Sequence, residues 1–78
     1  MRTTIIKYPH NTLKESRKAK SLTQEQVARL LNLQCEDRLS RWEHGQALPS
    51  VENLFRLAKL YEVSPEELYP DSAVRQAA

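Results

Sequence analysis

Glycine occurs once in this 78-residue sequence, cysteine once, and aromatic residues make up only 6%. So little glycine, set against eleven leucines, argues for helices and against a turn-rich β-fold. A lone Cys35 excludes an internal disulfide framework. With only His10 and His44 beside it, no structural zinc site is expected. Gly45 alone cannot build a phosphate-cradling glycine loop, and no Ser/His/Asp or Cys/His spacing suggests nucleophilic catalysis. The expectation is therefore a non-enzyme with no cofactor and no metal. No apolar run approaches the roughly 18 residues of a membrane span, and no signal-peptide pattern opens the chain. One small, soluble, cytoplasmic domain is expected, since hydrophobic residues at 40% and charged residues at 28% lie near the globular norm.

Charge is present in quantity but unevenly placed. The net charge is only +2. Residues 1–31 carry seven basic side chains (Arg2, Lys7, Lys14, Arg17, Lys18, Lys20, Arg29) against Glu15 and Glu25, a local excess of +5. Residues 32–78 carry five basic against eight acidic groups, a balance of −3. A basic front half suits a polyanionic partner, and it equally suits a solvated helical surface.

Along the chain, residues 1–10 read as an extended arm, because Thr3-Thr4-Ile5-Ile6 is β-prone and Pro9 disfavours helix at Tyr8. Five helical pieces follow in residues 11–70, and residues 71–78 read as a tail. The first piece runs from about Thr12 to Lys20 behind an Asn11 or Thr12 cap, with Leu13 and Ala19 as its apolar positions. The second starts at a capping box, Thr23-Gln24-Glu25-Gln26, and carries Val27, Leu30 and Leu31 at helical spacing. Small Ala28 allows close helix approach, and Asn32 tolerates a left-handed stop. The third runs from about Cys35 to Glu43 with Leu39 and Trp42 inward, and Gly45 ends it. Ser50 caps the fourth, with Val51, Leu54, Leu57, Ala58 and Tyr61 inward or Leu60 sharing that role. Ser64-Pro65-Glu66-Glu67 opens the fifth, which offers Leu68, and Tyr69 as a further candidate, before Pro70 stops it. The expected core is Leu13, Leu22, Val27, Leu30, Leu31, Leu39, Trp42, Leu54, Leu57 and Leu68.

Between Thr23 and Glu43 the pattern is helix, tight turn, helix, a geometry that can present the second helix to a DNA major groove. Three stretches then acquire a more specific meaning: Ser21-Leu22-Thr23-Gln24-Glu25-Gln26-Val27-Ala28, Leu39-Ser40-Arg41-Trp42-Glu43-His44-Gly45, and Leu48-Pro49-Ser50-Val51-Glu52-Asn53-Leu54 with Leu57-Ala58. In order and spacing they resemble the phage-repressor/Cro-like (Xre) helix-turn-helix domain, over about Thr12 to Leu68. The resemblance implies an all-α, compact five-helix repressor-like fold. It also implies sequence-specific binding of double-stranded DNA by a dimeric transcriptional regulator of bacterial or phage type.

Carried across residue by residue, the resemblance assigns Gln24, at the start of the second helix, to a DNA phosphate. That role suits the free amides of a helix N-terminus. It points Cys35, Glu36, Asp37, Arg38 and Arg41 of the third helix toward base edges. Arg41 is the prime base reader, because a guanidinium can bond guanine O6 and N7 together. Ser40, His44 and Gln46 match positions near the DNA backbone. Arg17 and Glu43 match a buried ion pair that ties the first helix to the third.

The sequence also departs from the pattern. Ser16 stands where leucine is frequent, Ser21 where a helix-ending glycine is frequent, and the Asn32-Leu33-Gln34 turn is one residue longer than the usual form, which leaves the start of the third helix open by one residue. Glu36 and Asp37 occupy a surface usually polar or basic, and Gln46-Ala47-Leu48 lacks the frequent lysines and arginines. An acid near a helix N-terminus stabilises it by about 0.3–1 kcal/mol. A carboxylate 4 Å from a phosphate costs about 1 kcal/mol at water's dielectric constant. The two effects are comparable, so modest, salt-sensitive affinity is expected, with a homodimer on a palindromic operator supplying much of the binding. Its dimer surface is expected in the fifth helix, the tail or the Ile5-Ile6 arm. The alternative is a protein-interaction module of the same fold, such as an antitoxin-like subunit. A lowered thiol pKa at Cys35 would make it a redox sensor, a further alternative.

Overall fold

Side-chain caps set most of the helix starts. Thr23 Oγ1 accepts the Gln26 amide while Gln26 Oε1 accepts the Thr23 amide, and Ser64 and Glu67 repeat the exchange. Ser50 Oγ accepts the Asn53 amide at 3.1 Å. In the computed structural model, which describes residues 9–70, the resulting helices are α1 (Leu13–Ala19), α2 (Gln24–Leu30), α3 (Asp37–Glu43), α4 (Val51–Tyr61) and α5 (Pro65–Leu68). No strand occurs among the described residues. Ile5, Ile6 and Tyr8 of the arm, and tail residues 71–78, lie outside them.

Four of these helices end in the same way, and only one uses glycine. Ser21, Asn32, Gly45 and Glu62 all have left-handed φ, between 58 and 75°. After each, the next amide reaches back five residues: Leu22 to the Arg17 carbonyl, Leu33 to Ala28, Gln46 to Arg41, and Val63 to Ala58. This is the Schellman pattern, which satisfies carbonyls that a helix end otherwise leaves open.

α1 packs on α3 and α4, α2 on α3, and α4 on α5. Leu13, Val27, Leu39, Leu57 and Leu68 are fully enclosed at the centre, with Trp42 and Tyr61 beside them. Each such side chain contributes about 1.5–3 kcal/mol of burial. Leu22 and Leu54 pack at the margin.

Three apolar positions differ from expectation. Leu30 is 62% exposed and Val51 69% exposed. In a two-turn helix, Val27, Ala28 and Leu31 share the inner arc, and at 100° per residue Leu30 falls outside it. Val51, the first residue of α4, lies about 120° round the helix from Leu57, at the edge of the inner arc. Ala19 is exposed, and Arg17, one turn after Leu13, takes the inner place instead. Tyr69, the further candidate of the fifth helix, is buried and joins the core.

The chain closes on itself where α1 begins. Asn11 Oδ1 accepts the Leu13 amide and Asn11 Nδ2 donates to the Trp42 carbonyl, both at 3.0 Å. The Thr12 amide donates to the Leu68 carbonyl at 3.0 Å, and Thr12 Oγ1 to the Glu67 carbonyl at 2.9 Å. The first helix is thereby fastened to the end of α3 and to α5.

Candidate nucleic-acid interface

α3 has one face held and one face free. Leu39 and Trp42 are buried on the held side, and Glu43 secures the C-terminal end. Arg17 Nε donates to Glu43 Oε2 at 2.7 Å and Arg17 Nη2 to Glu43 Oε1 at 3.2 Å, a two-pronged contact. Arg17 Nη1 also donates to the Leu22 carbonyl at 2.9 Å. The two side chains retain 9% and 1% of their surface, so solvent screens the pair little. The hydrogen bond to Glu43 raises the guanidinium pKa, against the opposing pull of burial.

Gln24 joins this network. Its Nε2 donates to Glu43 Oε1 at 2.9 Å, which orients the amide at the first residue of α2. Glu43 thus accepts from α1 and from α2 while standing on α3. Sequence spacing alone carries no signal for the Gln24–Glu43 bond, nor for the Asn11 link to Trp42, because both join residues far apart in the chain.

On the free side, Asp37, Arg38 and Arg41 are exposed. Among the described residues neither Arg38 nor Arg41 has an acidic partner, whereas Arg29 is paired with Glu25 and Arg56 with Glu52. Arg38 and Cys35 line a shallow groove of about 380 Å³ beside the turn residues Asn32, Leu33 and Gln34.

α3 starts at Asp37, two residues later than the sequence suggests. Cys35 and Glu36 therefore sit in the turn, both exposed. The cause is local: Glu36 holds the cap position without a side-chain cap bond, and no Ser, Thr, Asp or Asn stands there to begin the helix earlier. Asp37 lies in the first turn and Arg41 in the last, each favourable to the helix dipole.

At the far end, the His44 Nδ1–H donates to the Ser40 carbonyl at 2.8 Å, with Ser40 Oγ 3.4 Å from the same nitrogen. This tautomer is assigned from the bond it makes. Nε2 is then the ring nitrogen without a partner among the described residues. Gln46 is exposed, its amide spent on the Arg41 carbonyl. The expected site residues thus fall into three groups. Asp37, Arg38 and Arg41 share the free side of α3, Ser40, His44 and Gln46 gather at its end, and Cys35 and Glu36 precede it. Gln24 stands apart at the start of α2, anchored to Glu43.

Residues 13–68 match the sequence profile of the helix-turn-helix family. The chain belongs to that family. α2, the turn at 31–36 and α3 are its helix-turn-helix, in the Xre-like form that the motifs resemble. A crystal structure of a candidate DNA-binding protein from Bacteroides fragilis superposes with a TM-score of 0.68 at 29% identity, covering 74% of this chain and 92% of that one. An HTH-type transcriptional activator, BcrR of Enterococcus faecalis, is 38% identical over 56 residues, 72% of this chain. The match spans 27% of that activator's length.

Proposed function

We propose that this helix-turn-helix domain binds double-stranded DNA in a sequence-specific way and acts as a small dimeric transcriptional regulator of repressor or controller type. The observation that carries the reading is the free side of α3. It is held on a rigid scaffold by Leu39, Trp42 and Glu43, and it presents Arg38 and Arg41 without acidic partners among the described residues. A helix so displayed fits the major groove, where Arg41 reads guanine through O6 and N7 and Arg38 reads a base or holds a phosphate.

The supporting contacts follow from their places. Gln24, oriented by Glu43 at the start of α2, donates its remaining amide hydrogen to a phosphate. Ser40, His44 and Gln46 serve the backbone near the end of α3, and Cys35, Glu36 and Asp37 border the first bases. The kinship with BcrR and with the Bacteroides fragilis protein points the same way. Repression asks for nothing beyond occupancy, since a protein seated on an operator excludes others from it. Two copies would read half-sites about 34 Å apart in a palindromic operator. The place of action is the cytoplasm, on the nucleoid.

Selection of bound fragments from random duplex DNA tests the reading. The expected result is an inverted repeat whose affinity falls steeply as salt rises. Arg41→Ala should flatten the preference at one base pair per half-site, costing about 1–3 kcal/mol there and leaving the salt slope nearly unchanged. No selected sequence and no salt dependence would overturn the proposal in favour of a protein-interaction module.

A further inference from the structure

Of the four large apolar side chains exposed among the described residues, Val51 and Phe55 share α4. Val51 and Phe55 are 69% and 56% exposed. Phe55, Ala58, Val63 and Pro65 line a groove of about 630 Å³ that Glu52, Arg56, Lys59 and Glu62 border. Arg56 is paired with Glu52 and Glu62 with Lys20, which leaves Lys59 without an acidic partner among the described residues. Phe55 is the chain's single phenylalanine. An exposed aromatic ring at the middle of a helix, flanked by valine and rimmed by charge, has the make-up of an interface centre.

We infer that this face of α4 docks on the same face of a second copy of the chain, antiparallel, with the two-fold axis at Phe55. The inference rests on the dimeric reading above and names the surface that reading needs. Charge placement selects the occupant. At 1.5 Å per residue, Glu52 stands about 4.5 Å before Phe55 along the axis and Lys59 about 6 Å after it. At 100° per residue, both project on the same flank of the Phe55 stripe. A two-fold axis perpendicular to an antiparallel helix pair preserves flanks and reverses direction. Glu52, whose Oε2 accepts from Arg56 of its own helix, therefore meets Lys59 of the partner subunit through its second oxygen, and the same contact recurs in reverse, giving two equivalent ion pairs. On the other flank, Val51 falls opposite the small Ala58 of the partner subunit, and the two Phe55 rings meet at the axis. A parallel pairing would instead put each residue and its copy at equal height on opposite flanks, and neither ion pair would form.

An 11-residue helix is about 16 Å long. Such a face is at the low end of specific interfaces, so the dimer is weak in free solution and DNA completes it. Its isologous form matches an inverted repeat. Helix five, the tail and the Ile5-Ile6 arm are then not the principal contact.

Sedimentation equilibrium of the full chain without DNA, across micromolar to millimolar concentration, tests the inference. A reversible monomer–dimer equilibrium is expected. Phe55→Asp should raise the dimer dissociation constant at least about thirtyfold while the far-ultraviolet spectrum stays helical. Glu52→Lys and Lys59→Glu should each weaken the dimer by about tenfold. Mixing those two single variants should restore association to within about twofold, because the heterodimer regains both pairs. A role confined to one chain cannot produce rescue in the mixture. The full-length variant Ile5→Asp/Ile6→Asp should associate like the parent. A parent monomeric throughout, a Phe55→Asp dimer as tight as the parent, absence of rescue, or dissociation by the arm variant would each overturn the α4 interface. Selection of a single half-site under the first of these outcomes would leave the DNA reading standing and remove only the dimer.

Discussion

Arg17 shows how one side chain can couple three helices. Its guanidinium leaves α1, bonds the Leu22 carbonyl ahead of α2, and grips Glu43 at the end of α3, where Gln24 shares the same carboxylate. Glu43→Ala strands that guanidinium in a place with little water, so a loss of about 3–5 kcal/mol is expected by urea unfolding. Replacing both partners by apolar residues of similar volume should cost much less, since no charge is then left buried. The pair is legible in the sequence only through family resemblance. Composition and periodicity put Ala19 inside and a charged arginine outside, whereas the long stem of Arg17 fills the inner place beside Leu13 and still delivers its head to an acid. Arg38 and Arg41 were legible for the opposite reason. They belong to a helix whose inner residues, Leu39 and Trp42, are unambiguous, so the remaining face follows from geometry.

At the level of the helix, the terminal residues carry the most information. The boxes Thr23–Gln26 and Ser64–Glu67 could be read directly because each is complete within four residues. The start of α3 could not, because no capping side chain marks it. Left-handed φ at Ser21 costs a residue with a side chain about 1–2 kcal/mol, part of which glycine returns as backbone entropy. Ser21→Gly should therefore raise stability by about 0.5–1 kcal/mol, visible as a later urea midpoint with an unchanged slope. Asp37 poses the sharper conflict, since it supports the first turn of α3 and repels phosphate. Asp37→Asn should lower stability by about 0.3–1 kcal/mol and tighten nonspecific DNA binding about fivefold at low salt. Fluorescence anisotropy with an unrelated duplex measures the second effect.

Taken whole, the domain loses stability in alkali. Tyr61 and Tyr69 are buried, and neither hydroxyl has a hydrogen-bond partner among the described residues. Burial pushes the Tyr61 phenol far up, with nearby Glu43 adding to the rise and Arg17 opposing it. Burial alone pushes Tyr69 up to about 12. In the unfolded chain both ionise near about 10. The unfolded state then loses its protons first. The tyrosine contribution to stability should be constant from neutral pH to about pH 10 and be lost as the pH climbs toward the folded-state values. Urea titrations at pH 8 and pH 11 should show the drop, and Tyr69→Phe should reduce it without a penalty at pH 8, because the hydroxyl it removes bonds nothing among the described residues. The clasp between Thr12 and Leu68 has a different consequence. Since the first and last turns of the bundle are adjacent, peptide segments on either side of it depart from one spot. A circular permutant that bridges this seam with a short flexible tether and opens between Gly45 and Ser50 should keep its hydrophobic centre intact. The same adjacency lets the bundle be spliced into a host polypeptide as a self-contained insert, with both splice points side by side.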